Sequence, residues 1–397
     1  MSSVTERHDV HGHLDIRRDL ASAVRRGELP GSLLLYGPPG VGRQTVGRWL
    51  ARLLVCEAPG DDGPCDQCRA CRLALDLQHP DIHWFFPLPR PKGASNPEKL
   101  ADALEEARHE ALAEIRRDSL YRPPPDELTG LYLAQVRTIR RLGSTRPAMG
   151  PRQVFIVGDA ELLTPQEASE EAANAFLKIL EEPPPATTFI LTASEPEALL
   201  PTLRSRLLPV RLRPLPEEDV AQFIGRVTDA EPARVRLAAR LGQGSIGRAL
   251  GYLPRDGEPN HAEAMRLKAR QWLEAALNPK PAGRYAAALA EKPGGARGAF
   301  ADMLDAMNLW LRDLAAVAEG SEEAVVNVDA VDRLRKLVPH TREDAIPRAI
   351  HLVEEAREGG RINANPQLTL AWVLNELHEL LSPPTSRTAI AAPHRGR

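Results

Sequence analysis

Aromatic residues make up only 4% of this 397-residue chain, and there are only five methionines and four cysteines. With aromatics so few and Ala, Leu and Arg abundant, most of the chain is expected to be helical. No run of about 18 apolar residues occurs, which excludes a long apolar membrane helix. The residues around Arg7 carry no apolar core of a signal peptide, so a cytoplasmic protein is expected. The net charge is only -3, which excludes a chain that grips nucleic acid by overall charge alone. Any such contact should be local or shared with partners. All four cysteines fall between Cys56 and Cys71, which argues against a scattered disulfide framework and for one local site.

What is present is ordinary for a globular protein, 43% hydrophobic and 26% charged, and long enough for two or three domains. The chain is organised around Gly37-Pro38-Pro39-Gly40-Val41-Gly42-Arg43-Gln44-Thr45, which follows the apolar run Ser32 to Tyr36 and opens a helix. The frame is that of GxxxxGK[ST], in which glycines fold backbone N–H groups round phosphates, a Lys reaches the β/γ-phosphates and a hydroxyl ligates Mg²⁺. Arg43 stands at the Lys position and Gln44 at the hydroxyl position. A planar guanidinium is bulkier than an ammonium, and an amide is a poor substitute for the hydroxyl. Thr45 lies roughly 100° further round the helix, away from the metal position. Gly37, Gly40, Gly42, Arg43, Gln44 and Thr45 thus form a degenerate nucleotide loop that points to the fold more firmly than to ATP and Mg²⁺.

Along the chain, periodicity predicts helix from Leu14 to Arg26, strand from Leu33 to Tyr36, a helix burying Val46, Leu50, Leu53 and Leu54, and strand from Ile82 to Phe86. Residues 87–131 look like an insertion: proline-rich ends flank one helix, begun at Asn96-Pro97, with an apolar stripe at Leu100, Leu104, Leu112 and Ile115. That stripe packs either on its own domain or on a partner. Helix Leu133 to Leu142, strand Val154 to Val157, helix Ala172 to Glu182 and strands Thr188 to Thr192 and Leu208 to Leu212 then alternate as a parallel α/β sheet requires. The strands stop after Pro214. A small helical unit at 214–253 and a linker at 253–259 lead to a helical region at 260–382, with helices at His261 to Leu277, Ala299 to Ala318, Val328 to Leu337, Arg342 to Glu358 and Leu368 to Leu381. Residues 383–397 read as a disordered tail.

The spacing Cys56-x8-Cys65-x2-Cys68-x2-Cys71 suits a closed, structural tetrahedral Zn²⁺ site. Free thiols and an iron–sulfur cluster are the competing readings. At the end of strand 154–157, an ATPase of this architecture presents an Asp followed by a Glu that polarises water. Here the run is Gly158-Asp159-Ala160-Glu161, so the first position is empty and Asp159 is one methylene short of the second. Asp159 either still holds a water or is simply a polar residue at a strand end.

Asn174-Ala175-Phe176-Leu177-Lys178-Ile179-Leu180-Glu181-Glu182-Pro183-Pro184, then Leu203-Arg204-Ser205-Arg206, the cysteine spacing and Asn363-Ala364-Asn365-Pro366 resemble the clamp-loader branch of the AAA+ ATPases, and within it the delta-prime family of bacterial DNA polymerase III. The insertion at 87–131 departs from that pattern. The resemblance implies an AAA+ P-loop domain with a zinc insertion (1–213), a helical lid (214–253) and a helical oligomerisation domain or collar (260–382). It implies a ring assembled with gamma/tau and delta subunits, which opens the sliding clamp and places it on primer-template DNA. Ser205-Arg206 matches that family's Ser-Arg-Cys motif, with Leu207 at the Cys position, and implies that Arg206 acts in trans on a neighbour's ATP. An ordinary surface Arg is the alternative. An arginine expected in hydrolysing members is replaced by Gly247. Arg137, Arg140 and Arg141 share one helix and could face DNA or simply solvent. The expected function is that of a non-hydrolysing subunit. A gamma/tau-like ATPase with slow residual turnover, and a scaffold outside replication, are the alternatives.

Overall fold

The computed structural model describes residues 10–93, 96–118, 129–163, 171–255, 257–291, 297–360 and 365–383. Asn363, Ala364, residues 119–128 of the insertion and the expected tail from 384 onward lie outside them. The chain divides into two compact units, residues 1–258 and 259–397.

In the first unit the elements run α1 (Leu14–Arg26), β1 (Ser32–Tyr36), α2 (Arg43–Val55), α3 (Arg69–Leu75), β2 (Ile82–Phe85), β3 (Leu88–Pro89), α4 (Pro97–Arg117), β4 (Thr129–Gly130), α5 (Leu133–Gly143), β5 (Gln153–Val157), α6 (Glu171–Glu181), β6 (Thr187–Ala193), α7 (Pro201–Arg204), β7 (Leu208–Arg211), α8 (Glu217–Val227), α9 (Pro232–Gly242) and α10 (Ile246–Gly251). Five strands form one parallel sheet in the order β2-β5-β6-β1-β7. This is the α/β class with a parallel sheet expected from the sequence. Side chains alternate across the pleat. Leu33, Leu35, Ile156 and Ile190 pack with Val46, Leu50 and Leu54 of α2 on one face, while Leu34, Phe155, Phe189 and Leu191 pack with Ile139 of α5 and Phe176 of α6 on the other. Burial on both faces explains why these strands read as unbroken apolar runs.

The insertion folds onto its own unit. Asn96 caps α4 by accepting from the Lys99 N–H at 2.8 Å, with Pro97 in the first turn. Leu104 meets Leu88 and Ala134, and Leu112 joins the core beside α2. Arg108 is buried on that apolar side, donating to Glu105 at 2.7 Å and lying 4.8 Å from the Phe85 ring. The short helix α3 was not expected, and the stretch read as a linker begins as packed structure, because Tyr252 and Leu253 are buried.

The second unit is helical: α11 (His261–Leu277), α12 (Pro281–Leu289), α13 (Arg297–Ala318), α14 (Val331–Leu337), α15 (Ile346–Gly360) and α16 (Pro366–Leu381). Helix α12 is additional to those expected. Asn365 caps α16, accepting from the Gln367 and Leu368 N–H groups at 2.9 and 3.3 Å. Trp272, Trp310, Leu314, Val353, Leu374 and Leu377 are among the residues of its core. Beside it, Arg266 is buried between Glu263 and Asp329, at 2.8 and 2.9 Å, and donates to Asn327. Pairing with hydrogen bonds to every face of the guanidinium is what makes such burial tolerable.

Asp81, 1% exposed at the start of β2, organises the turn before β5 by accepting from the N–H groups of Ala148, Met149 and Gly150 at 2.5, 2.8 and 2.7 Å. Burial pushes its carboxyl upward, but the three amides outweigh burial and hold it below the ordinary 3.8. The stabilisation is therefore present above 3.8 and disappears as pH falls through the lowered native value. Asp81→Ala should cost about 3 kcal/mol in urea unfolding at neutral pH. The gap from wild type should narrow in acid; a gap that is small at neutral pH or constant with pH would contradict this role.

Candidate functional site

The loop between β1 and α2 owes its shape to glycine. Gly40 has φ +73°, and a Cβ there would lie 2.6 Å from Ser245 Oγ and 2.9 Å from the Arg248 nitrogen. That closeness comes from α10. The N-terminus of α10 is pressed against the loop: Ser245 Oγ donates to the Pro39 carbonyl at 2.8 Å, and the Gly247 N–H donates to the Gly40 carbonyl at 2.9 Å. A Cβ at Gly247 would sit 2.9 Å from Gly40 Cα, so no side chain fits at 247 in this arrangement. On the other side His13 Nε2 bonds the Val41 carbonyl at 2.9 Å. Burial lowers the His13 pKa, which leaves the ring neutral and donating through Nε2.

At the mouth of α2, the two altered residues turn on Asp159. Arg43, 7% exposed, donates to Asp159 Oδ1 at 3.2 Å, and Gln44 Nε2 donates to Oδ2 at 3.0 Å. Asp159 itself holds a left-handed backbone, φ 47°, with its N–H bonded to Thr192 Oγ1 at 3.0 Å. Gln44 also fills the place left at Gly158: a Cβ there would lie 2.8 Å from Gln44 Nε2. Asp159 is therefore more than a polar residue at a strand end; its carboxylate is the acceptor that both altered loop residues share. Neighbouring Glu161 serves β6, accepting from the Ser194 N–H at 2.7 Å and from its hydroxyl. Thr45 lies in the first turn of α2, after Arg43 and Gln44.

The cysteines also converge. The four Sγ atoms of Cys56, Cys65, Cys68 and Cys71 lie within 4.8 Å of one another, with Cys65 and Cys71 at 3.9 Å. Four thiolates about 2.3 Å from a tetrahedral ion are about 3.8 Å apart. The donor set therefore fits a metal ion after a small contraction. The N–H groups of Cys65, Cys68 and Cys71 point at the sulfurs of Cys56, Cys65 and Cys68, at 3.3 to 3.4 Å. These amides would share the negative charge of thiolates. The cluster is fastened to α2: Asp66 pairs with buried Arg52 at 2.9 Å, and Gly63 lies against the Trp49 indole.

Arg206 follows α7 on the surface. Leu203 and Leu207 point into the core on either side, so Arg204, Ser205 and Arg206 turn outward. Leu207, at the position where a Cys was expected from the resemblance, is thus a core residue. Arg206 pairs with Glu181 at the end of α6, at 2.7 Å, and donates to the Thr202 carbonyl at 2.9 Å. Arg137, Arg140 and Arg141 are exposed on one side of α5. Arg140, Arg146 and Lys178 line an open groove between α5 and α6, which Glu181 and Glu182 also border.

A family model described as DNA polymerase III, delta subunit, matches residues 12–216. The chain belongs to that family. Relatives within DNA polymerase III include subunit delta' of Escherichia coli strain K12, 30% identical over 237 residues, which cover 60% of this chain and 58% of that one. Subunit delta' of Pseudomonas aeruginosa is 31% identical over 201 residues, 50% of this chain and 48% of that one. The chain thus spans about half the length of these curated relatives. Subunit tau of Escherichia coli is 26% identical over 247 residues, 61% of this chain and 31% of that one. A solved gamma subunit-related protein of Thermotoga maritima is 17% identical with a TM-score of 0.38, over 91% of this chain and 99% of that one. Among the described residues no helix is long and apolar enough to cross a membrane.

Sequence reasoning named the loop glycines, Arg43, Gln44, Asp159 and the cysteines, and the fold brings Arg43 and Gln44 to Asp159 and the four cysteines to one another. Ser245, Gly247 and Thr192 were not read as loop contacts, since nothing in their local sequence reveals what lies against them.

Burial raises the Asp159 carboxyl to about 6, against the pull of Arg43. A carboxyl raised from 3.8 favours the folded state below 3.8 and loses that contribution as pH rises through about 6. The melting temperature of wild type should therefore fall relative to Asp159→Asn between those two values and stay level above them. A difference independent of pH would mean that the carboxyl titrates normally.

Proposed function

We propose that this chain is a non-hydrolysing, delta-prime-like subunit of a bacterial DNA polymerase III clamp loader, and that it supplies Arg206 in trans to the ATP of a neighbouring gamma/tau subunit. The observation that carries the reading is the filled loop. The guanidinium of Arg43 and the amide of Gln44 are both spent on Asp159, and the space of a metal-directing carboxylate at 158 is taken by Gln44. With no hydroxyl at 44 and no carboxylate at 158, Mg²⁺ loses two of its ordinary anchors. The lid backbone rests on Gly40 where an arginine at 247 would otherwise project.

Arg206 suits the role of a finger. An exposed pair such as Arg206–Glu181 is worth about 0–1 kcal/mol, so its guanidinium can be redirected to a neighbour's γ-phosphate at little cost. The rigid setting between buried Leu203 and Leu207 supplies the orientation. In the second unit Tyr285 and Leu289 of α12 and Leu368 and Trp372 of α16 are exposed, which favours a collar that packs on delta and gamma/tau neighbours. Arg137, Arg140 and Arg141 would touch the phosphates of primer-template DNA within the ring, alongside the sliding clamp.

The test is ATP turnover by the purified chain and by a loader reconstituted with gamma/tau and delta. The chain alone should show none. Arg206→Ala in the loader should slow single-turnover hydrolysis at one interface by roughly 10³-fold. Robust turnover by the lone chain, or a loader indifferent to Arg206→Ala, would defeat the proposal.

The cysteine site is proposed to hold a structural zinc ion, with metal binding contributing on the order of 10 kcal/mol to the folded loop. Elemental analysis should find one zinc per chain, absent from Cys68→Ser. That variant should also melt at a lower temperature; metal-free wild-type protein of unchanged stability would exclude the ion.

A further inference from the structure

A second cleft, of about 350 Å³, lies away from the nucleotide loop, between α4 of the insertion, the end of α3 and the edge strand β2. Its polar lining is rich in hydrogen-bond donors and includes Gln78 and His109. Arg48 enters from α2 and Arg108 and Arg116 from α4, while His79, His83 and Trp84 come from the chain leading into and through β2. No Asp or Glu lines it, although Glu105 stands behind Arg108.

Three of these groups end without a protein partner. His79 is 4% exposed, and its Nδ1 accepts the Asp81 N–H at 3.1 Å. Burial lowers its pKa despite the Asp81 charge, so the ring is neutral and its proton stays on Nε2. That Nε2 has no hydrogen-bond partner, nor has Nε1 of Trp84, which is 8% exposed and can only donate. His83 Nε2 is a third such atom. Buried donors left unsatisfied are costly, and a native fold usually matches them with an acceptor. The guanidinium of Arg48 lies 4.8 Å over the Trp84 ring, which sets a fixed positive charge next to the unpaired indole N–H. His83 is held down to about 4, first by burial and then by the Arg108 charge, which shows that the positive field reaches it.

We propose that this cleft binds a small oxyanion-bearing molecule, a phosphate ester or polycarboxylate, gripped by Arg48 and Arg116 and by the Nε2–H of His79 and the Nε1–H of Trp84. The apolar wall of Leu77, Leu112 and Ile156 leaves room for a non-polar body behind the charged group. Because α4 supplies one wall, the site exists only where the insertion is present, and it does not depend on the reading of the nucleotide loop.

The full chain is titrated by calorimetry with inorganic pyrophosphate and, separately, with citrate, and the indole N–H signal of Trp84, assigned through Trp84→Phe, is followed by NMR. One-site binding of either probe with displacement of that signal is expected, and the probe that binds separates phosphate from carboxylate ligands. The double variant Arg48→Gln, Arg116→Gln, checked for an unchanged fold by circular dichroism, should weaken binding by about tenfold or more. Changing Arg236, exposed on α9 and not part of the cleft lining, to Gln should leave it intact. If neither probe moves the Trp84 signal at millimolar concentration, or if the double variant binds like wild type, the proposal is overturned.

Discussion

The contact between Arg43 and Asp159 is the constraint from which the rest of the site follows. A guanidinium that is 7% exposed needs a counter-charge, because an unpaired charge at that depth would cost several kcal/mol. Asp159 supplies it only by adopting a left-handed backbone, steadied by Thr192. Gln44 completes the arrangement by bonding the second carboxylate oxygen. The altered loop residues thus turn inward on one carboxylate, although Arg43 Nη1 is buried without a hydrogen-bond partner, and the loop glycines serve close packing: Gly37 against the Leu212 carbonyl, Gly40 against α10.

Helix α2 gathers these features. Its first residues meet Asp159, Arg48 lies over Trp84, Trp49 supports the cysteine loop at Gly63, and Arg52 pairs with Asp66. Three neighbouring structures, the Asp159 cluster, the Trp84 side of β2 and the cysteine loop, therefore share one rigid element that is packed against the sheet through Val46 and Leu50. A metal ion among the cysteines would stiffen the same helix that presents the loop, which gives a closed metal centre a mechanical role without any chemistry of its own.

Much of this was legible in the chain, for reasons that can be traced. Strands β1, β5 and β6 are buried on both faces, so each appears as an apolar run, and Asn96-Pro97 announces α4 through capping chemistry. The cysteines disclose themselves by spacing. Helix α12 did not, because Asn278, Pro279, Pro281 and Gly283 resemble a turn, although Pro281 in a first helical turn is favourable. The packing of Gln44 into the space at Gly158, and of Gly247 onto Gly40, joins residues far apart in sequence. Such complementarity of size leaves no periodic trace, and the same holds for Arg108, which interrupts an apolar stripe and is buried all the same.

The fit of Gly247 against Gly40 ties together positions far apart in the sequence. An arginine placed at 247 has nowhere to go while α10 rests on the loop, a carboxylate placed at 158 collides with Gln44, and a hydroxyl at 44 leaves Asp159 with one bond fewer. Each single exchange is unfavourable while the other positions keep their present residues, so the loop, the strand end and α10 can change only in concert.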